Sequence, residues 1–148
     1  MPDRLYQQNH CGIYRMERPE GAWIRIGNNM PKKVGDIGFP IVLHPRDPDT
    51  AWFVPAVKDE RRIAVDAKVV VARTRDAGES FEVLSRGLPQ RHAYDLVWRH
   101  ALSIDETGER LAFGSTTGGL WTSNDGGDSW MTPEARLPPV AAVRFALA

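Results

Sequence analysis

Apolar and polar residues alternate over short stretches of this chain and nowhere hold a helical period. Lys68-Val69-Val70-Val71-Ala72-Arg73-Thr74 and Phe81-Glu82-Val83-Leu84-Ser85 show the partial two-residue rhythm of half-buried strands. Turn-forming residues interrupt the runs at Pro45, at Asp47-Pro48-Asp49 and at Asp105-Glu106-Thr107-Gly108. The pattern predicts four strands over 39–44, 51–56, 68–74 and 80–85, and four more over 98–104, 110–115, 119–123 and 129–132. Residues 4–8, 12–16 and 22–27 read as three strands of an earlier unit, and 140–146 as one strand after the last. No helix is predicted.

Two of the turns are copies of each other. Thr74-Arg75-Asp76-Ala77-Gly78-Glu79-Ser80-Phe81 and Ser123-Asn124-Asp125-Gly126-Gly127-Asp128-Ser129-Trp130 share the frame S/T-x-D-x-G-x-S/T-aromatic, an Asp box. Asp76 and Asp125 are suited to accept N–H bonds inside the turn, and Gly78 and Gly127 to take a backbone conformation that other residues resist. Thr74, Ser80, Ser123 and Ser129 complete the frame, with Phe81 and Trp130 packing beneath. A third copy has decayed to Met16-Glu17-Arg18-Pro19-Glu20-Gly21-Ala22-Trp23, where Arg18 and Glu20 replace the Asp and the Gly. The two intact copies lie about 49 residues apart, a period that signals propeller blades.

The expectation is therefore an all-β fold: part of a β-propeller with about three four-stranded blades and Asp-box hairpins. Its units are an incomplete blade over 1–30, blades over 38–88 and 96–136, and a closing strand over 140–146. Known propellers close with about four to eight blades. The chain then reads either as the C-terminal portion of a longer propeller or as a homodimer, in which each copy's last strand completes its partner's first blade; light scattering would reveal the dimer.

Beyond the boxes, the segments beginning Gly38-Phe39-Pro40-Ile41-Val42, His44-Pro45-Arg46-Asp47-Pro48, Arg99-His100-Ala101-Leu102 and Phe113-Gly114-Ser115-Thr116 carry a further likeness. The chain resembles the BNR/Asp-box repeat family shared by sialidase-like, sortilin-like and photosystem-assembly propellers, and bacterial members often labelled glycosyl hydrolase or exo-alpha-sialidase. The resemblance implies a propeller whose Asp boxes are structural and remote from the ligand face. A sialidase site would need an arginine cluster, a Tyr paired with a Glu, and an acid/base Asp. That set is not placed here: Tyr6, Tyr14 and Tyr94 are the only tyrosines and the Phe-Arg-Ile-Pro motif is missing. No catalytic residue is assigned.

Composition narrows the partners. Among 148 residues, 19 Lys plus Arg balance 19 Asp plus Glu, so bulk charge draws the chain to neither nucleic acid nor an anionic membrane. Cys11 is the only cysteine, and His10, His44, His92 and His100 lack metal-site spacing, so no disulfide, metal or cofactor is expected. With no signal-peptide core and no run of about 18 apolar residues, the sequence reads as soluble and cytoplasmic.

Propeller topology places binding groups on the face away from the boxes. There the chain has a long loop, 57–67, and the connection 89–97. Long loops on a rigid scaffold carry binding groups, which makes Asp59, Glu60, Arg61, Arg62, Asp95, Arg99 and His100 the candidate ligand residues. Arginine forks suit a carboxylate or phosphate, and Asp95 or Glu60 could bind sugar hydroxyls or act on a proton. The competing use is internal: residues 59–62 stapling their own loop, and Asp95, Arg99 and His100 satisfying one another. Gly114-Ser115-Thr116-Thr117-Gly118-Gly119 joins two strands and so reads as a hairpin turn, not a phosphate cradle. Trp23, Trp52, Trp98, Trp121 and Trp130 read as packing between blades in preference to a sugar platform. The function expected is a non-catalytic binding or scaffold module for a glycan, a small anion or a protein; the alternative is a glycoside hydrolase whose site is partly in N-terminal blades.

Overall fold

The structure is a computed structural model that describes residues 3–19 and 21–146. Glu20 of the decayed repeat and the extreme termini of the expected 1–148 domain lie outside these residues. Among the described residues the fold is all-β, built from three antiparallel sheets, with two short 3₁₀ turns at Ile26–Asn29 and Val65–Ala67. β1 (Arg4–Asn9) pairs with β2 (Gly12–Glu17). β3 (Gly38–Leu43), β4 (Ala51–Pro55), β5 (Val71–Thr74) and β6 (Glu82–Leu84) form a four-stranded sheet in chain order. β7 (Leu102–Ile104), β8 (Leu111–Gly114) and β9 (Leu120–Ser123) form the third.

The sheets stack face to face, and β4 shows how the sequence dictates this. Every residue of β4 is buried, so neither of its faces meets water. Because side chains alternate across a strand, Trp52 and Val54 enter one core while Ala51 and Phe53 enter the other. The larger core joins the second and third sheets through Trp52, Val71, Leu111, Phe113, Trp121 and Trp130. The smaller joins the first and second through Ile13, Ile26, Met30, Phe53 and Ala72, with Phe81 packed edge-on against Phe53 at 5.9 Å.

The two repeated turns have the same hydrogen bonds. Asp76 Oδ1 accepts from Thr74 Oγ1 and Ser80 N, both at 2.9 Å, and Oδ2 accepts from Ser80 Oγ at 2.5 Å. Asp125 accepts from Ser123 Oγ at 2.7 Å, Ser129 N at 2.9 Å and Ser129 Oγ at 2.5 Å. The first hydroxyl of each copy also accepts from the glycine N–H, 2.7 Å at Gly78 and 2.9 Å at Gly127. Both glycines sit at φ +92°, where a side chain is strained, and a Cβ on Gly78 would stand 2.4 Å from Ile26 Cδ1.

These bonds set an acid-dependent stability. Burial works to raise the Asp125 carboxyl, but the bonds from Ser129 and Ser123, with Arg86 nearby, outweigh it and hold the group down from 3.8 to about 2. A carboxylate depressed in the folded state stabilises fully above its ordinary value and stops doing so as pH falls through its folded value. The Asp125 side chain is 40% exposed, which screens part of the effect. Asp125→Ala is therefore expected to cost about 1–2 kcal/mol near neutral pH. Denaturant melts of both proteins should converge between about pH 4 and pH 2; an equal gap across that window would show that the carboxylate charge is not the cause.

Three predicted strands are reduced to single bridges. Residues 22–27 make one bridge, Arg15 to Ile24, because Arg25 forks onto Asp36 at 3.0 Å through two nitrogens and Ile26 turns into the core. Residues 129–132 make one bridge, Thr122 to Met131, before Pro133 removes a donor. Residues 140–146 make a single parallel bridge, Ala142 to His100, with Val140 N bonded to Ser115 O at 2.9 Å. Ser115 and Gly119 close the turn between β8 and β9, the hairpin expected of the 114–119 segment.

Candidate functional site

Strand direction sorts the loops into two ends. The repeated turns follow β5 and β9, so the β4–β5 and β8–β9 connections, the chain entering β3 and the chain entering β7 lie at the opposite end. A groove of about 400 Å³ opens there, lined by Phe39, Arg62, Leu96, Trp98, Arg99, His100 and Ala141. Phe39 comes from the start of β3, Arg62 from the β4–β5 connection, and residues 96–100 from the approach to β7.

Three of the seven sequence-derived candidates meet in this groove: Arg62, Arg99 and His100. Arg62 is braced by its own loop, donating to Asp59 Oδ1 at 2.8 Å and Asp59 O at 3.0 Å, and its guanidinium lies 5.3 Å from the centre of the Phe39 ring. Asp59 thus acts as a brace, as the staple reading has it. Glu60 pairs loosely with Lys58 at 3.8 Å, and Arg61 holds the loop through its backbone bridge to Lys58. Asp95 is turned toward the β8–β9 connection, where Ser115 Oγ donates to it at 2.6 Å and Thr117 Oγ1 also bonds it. The expectation that Asp95, Arg99 and His100 satisfy one another is thereby corrected, because those hydroxyls reach Asp95 first. His100 instead receives Arg144, whose Nη1 donates to its carbonyl at 2.8 Å.

The tryptophans divide. Trp52, Trp121 and Trp130 are core residues, but Trp98 is 40% exposed and lines the groove. Packing was the wrong reading for Trp98: β7 begins at Leu102, so residue 98 is in the approach loop and not in a strand between two sheets. Its position beside Arg99-His100 was the available signal. Trp23 is also exposed.

Sequence reasoning also missed the ties between sheets. Arg15 Nη1 donates to Ala77 O at 2.5 Å and stands 3.6 Å from Glu79. Arg73 Nη1 donates to Gly126 O and Nη2 meets Asp128, both at 2.7 Å. Ala77 and Gly126 hold the same place in the repeated turns, as do Glu79 and Asp128. Each arginine immediately precedes the first residue of a repeat copy, so the pattern was present in the sequence. Before the copy that begins at Ser123, Thr122 holds that place instead of an arginine.

At the repeated-turn end a hollow of about 430 Å³ is lined by His44, Trp52, Arg75, Glu109, Asn124 and Asp125, among others. Its polar groups are largely engaged: His44 Nδ1 accepts from Asp47 N at 3.0 Å, and Trp52 Nε1 donates to Gly126 O at 2.8 Å. Among the described residues no group of three or more His, Cys, Asp or Glu is placed to hold a metal ion, and no helix is long and apolar enough to cross a membrane.

This backbone path has solved counterparts. It resembles part of a GH74 enzyme. The chain aligns over 92% of its length with a GH74 enzyme from Niastella koreensis at TM-score 0.65 and 16% identity, and over 90% with an ancestral GH74 enzyme at TM-score 0.63 and 11% identity. It spans only 20% and 17% of those chains. These enzymes are propeller-like, and the likeness is one of fold. No family model matches the sequence, and no curated protein matches it.

Proposed function

We propose that the chain is a portion of a β-propeller and serves as a non-catalytic carbohydrate-binding scaffold through the groove at Phe39, Arg62, Trp98, Arg99 and His100. The carrying observation is the groove's composition: an exposed indole and a half-buried phenyl ring beside two guanidiniums and an imidazole, with no carboxylate among its lining residues. Aromatic faces suit the apolar face of a sugar ring, and cations beside them supply donors. Likeness to glycoside hydrolases of the GH74 type favours a carbohydrate setting.

The finer architecture belongs to the same proposal. The four strands over 38–84 make one blade, residues 102–131 a second with its last strand reduced to a bridge, and β1–β2 the remnant of a third. The repeated turns act as Asp-box hairpins of the BNR kind, and 140–146 acts as the innermost strand of a further blade, seated parallel to the start of β7. The hydrolase reading would need paired carboxyls roughly 5–10 Å apart across the site. Asp59 and Asp95, the acids next to the groove in sequence, are committed to Arg62 and to Ser115 with Thr117.

Replacing Trp98 with Ala should weaken binding to an oligosaccharide panel by about tenfold or more while the melting temperature stays near that of the parent. Unchanged binding would remove the groove from consideration. Release of reducing ends from the same oligosaccharides would favour the hydrolase.

A further inference from the structure

The geometry points to a ligand class for this groove: an oligosaccharide bearing carboxylates, a hexuronate chain, with Arg99 binding the anion and Trp98 lying under the sugar ring. The inference rests on the carbohydrate reading and goes beyond it in naming the charge of the ligand.

Charge is segregated in this molecule. Over the whole chain acids and bases balance, 19 against 19. Around β7 they do not. Arg99 and His100 form a ridge shared by the 400 Å³ groove and a neighbouring hollow of about 270 Å³ that also reaches Arg144. The two are lined by Arg62, Arg99, His100 and Arg144 and by no Asp or Glu among the described residues. Three of these four side chains have work elsewhere. Arg62 pairs with Asp59, Arg144 donates to the carbonyls of His100 and Val143, and the His100 ring stands 3.5 Å from Arg144.

Arg99 differs. It is exposed, and among the described residues it has neither an ion pair nor a side-chain hydrogen bond; Arg61, Arg91 and Arg136 share that state but line neither hollow. A guanidinium is planar, weakly hydrated and always charged, so an unengaged one on a partly apolar ridge is prepared for a bidentate carboxylate. Trp98 lines the same groove, and an exposed indole in one groove with the fork suits a pyranose ring with an acid on its edge. Nucleic acid fits less well, since the neutral chain offers no extended basic track.

The test is calorimetric titration of the full chain with trigalacturonate, its methyl ester and inorganic sulfate. The acid is expected to bind about tenfold more tightly than the ester at low salt, and the gap should narrow as salt is raised. Arg99→Gln should remove the preference for the acid over the ester; Arg99 is exposed, so the variant should fold. Equal binding of acid and ester would overturn this inference while leaving the carbohydrate reading in place. Binding of neither sugar would overturn this inference, and failure of the whole oligosaccharide panel would overturn the carbohydrate reading too. Sulfate binding as tightly as the trimer would show a generic anion site and overturn the hexuronate assignment.

Discussion

Phe113→Ala is expected to cost about 3–5 kcal/mol. Phe113 is fully buried, stacked on Trp121 with ring centres 5.0 Å apart and edge-on to Trp130 at 4.9 Å. Its removal exchanges two aromatic contacts for a void between rigid indoles, which cannot collapse into it as flexible aliphatic chains would. Because the larger core joins the second and third sheets, the loss should appear as a lower denaturant midpoint for the cooperative unfolding of both. Phe113→Leu should recover part of the stability by refilling the volume without restoring the ring pairs. A loss below about 1 kcal/mol for the alanine variant would mean that this aromatic cluster does not hold the sheets together.

Arg73→Met is expected to cost about 2–3 kcal/mol. The Arg73 side chain is 4% exposed and divides its nitrogens among Glu82, Asp128 and Gly126 O, each at 2.7 Å. Removing one member of a fully buried ion pair would cost more, because a bare charge would be left in the interior. Here Glu82 and Asp128 are about half exposed and stay hydrated, so the loss is confined mainly to the hydrogen bonds. Gly126 O keeps the indole of Trp52 as its other donor. Lysine should rescue little, since one ammonium cannot span three acceptors held in a fork. Arg75→Ala is the control: it lies 3.6 Å from the same Glu82 but is 59% exposed, and it should change stability by less than about 0.5 kcal/mol. If both variants behaved alike, the tie between the central sheet and the second repeated turn would not be the source of the effect.

Both predictions concern how one repeat is fastened to the next. The exposed partners in the two ties are Glu79 and Asp128, which occupy a variable place in the repeat frame. That place is acidic in both intact copies because the arginine arm of the preceding sheet meets it. An acid in the turn and an arginine before the preceding copy therefore work as one inter-sheet contact, spread across two units of sequence.

The sequence by itself determined the all-β character, the two repeated turns and the central sheet. Those depend on local chemistry: strand alternation within five or six residues, and an aspartate, a hydroxyl and a glycine at fixed offsets that satisfy one another inside a single turn. β4 and β5 were legible for that reason, within a residue or so at one end of β4 and three at one end of β5. The losses fell where a long-range contact competes with a local tendency. Residues 22–27 alternate well enough for a strand, but Arg25 finds Asp36 and Ile26 finds the space over Gly78.

The groove was decided in the same way. Arg62, Arg99 and His100 were recognisable as charged groups on the right end of the sheets, yet nothing local separated them from Asp59, Asp95 and Arg61. Tertiary structure made the division: Ser115 and Thr117 take Asp95, Asp59 is spent bracing Arg62, Arg61 does not line the groove, and no carboxylate reaches Arg99 among the described residues. It also exposed Trp98 by starting β7 four residues later than the apolar pattern implies. A side chain's type and strand periodicity are local properties and can be read from sequence. Whether its charge is already satisfied depends on groups tens of residues away, and only the packing of one sheet against the next brings those within hydrogen-bonding distance.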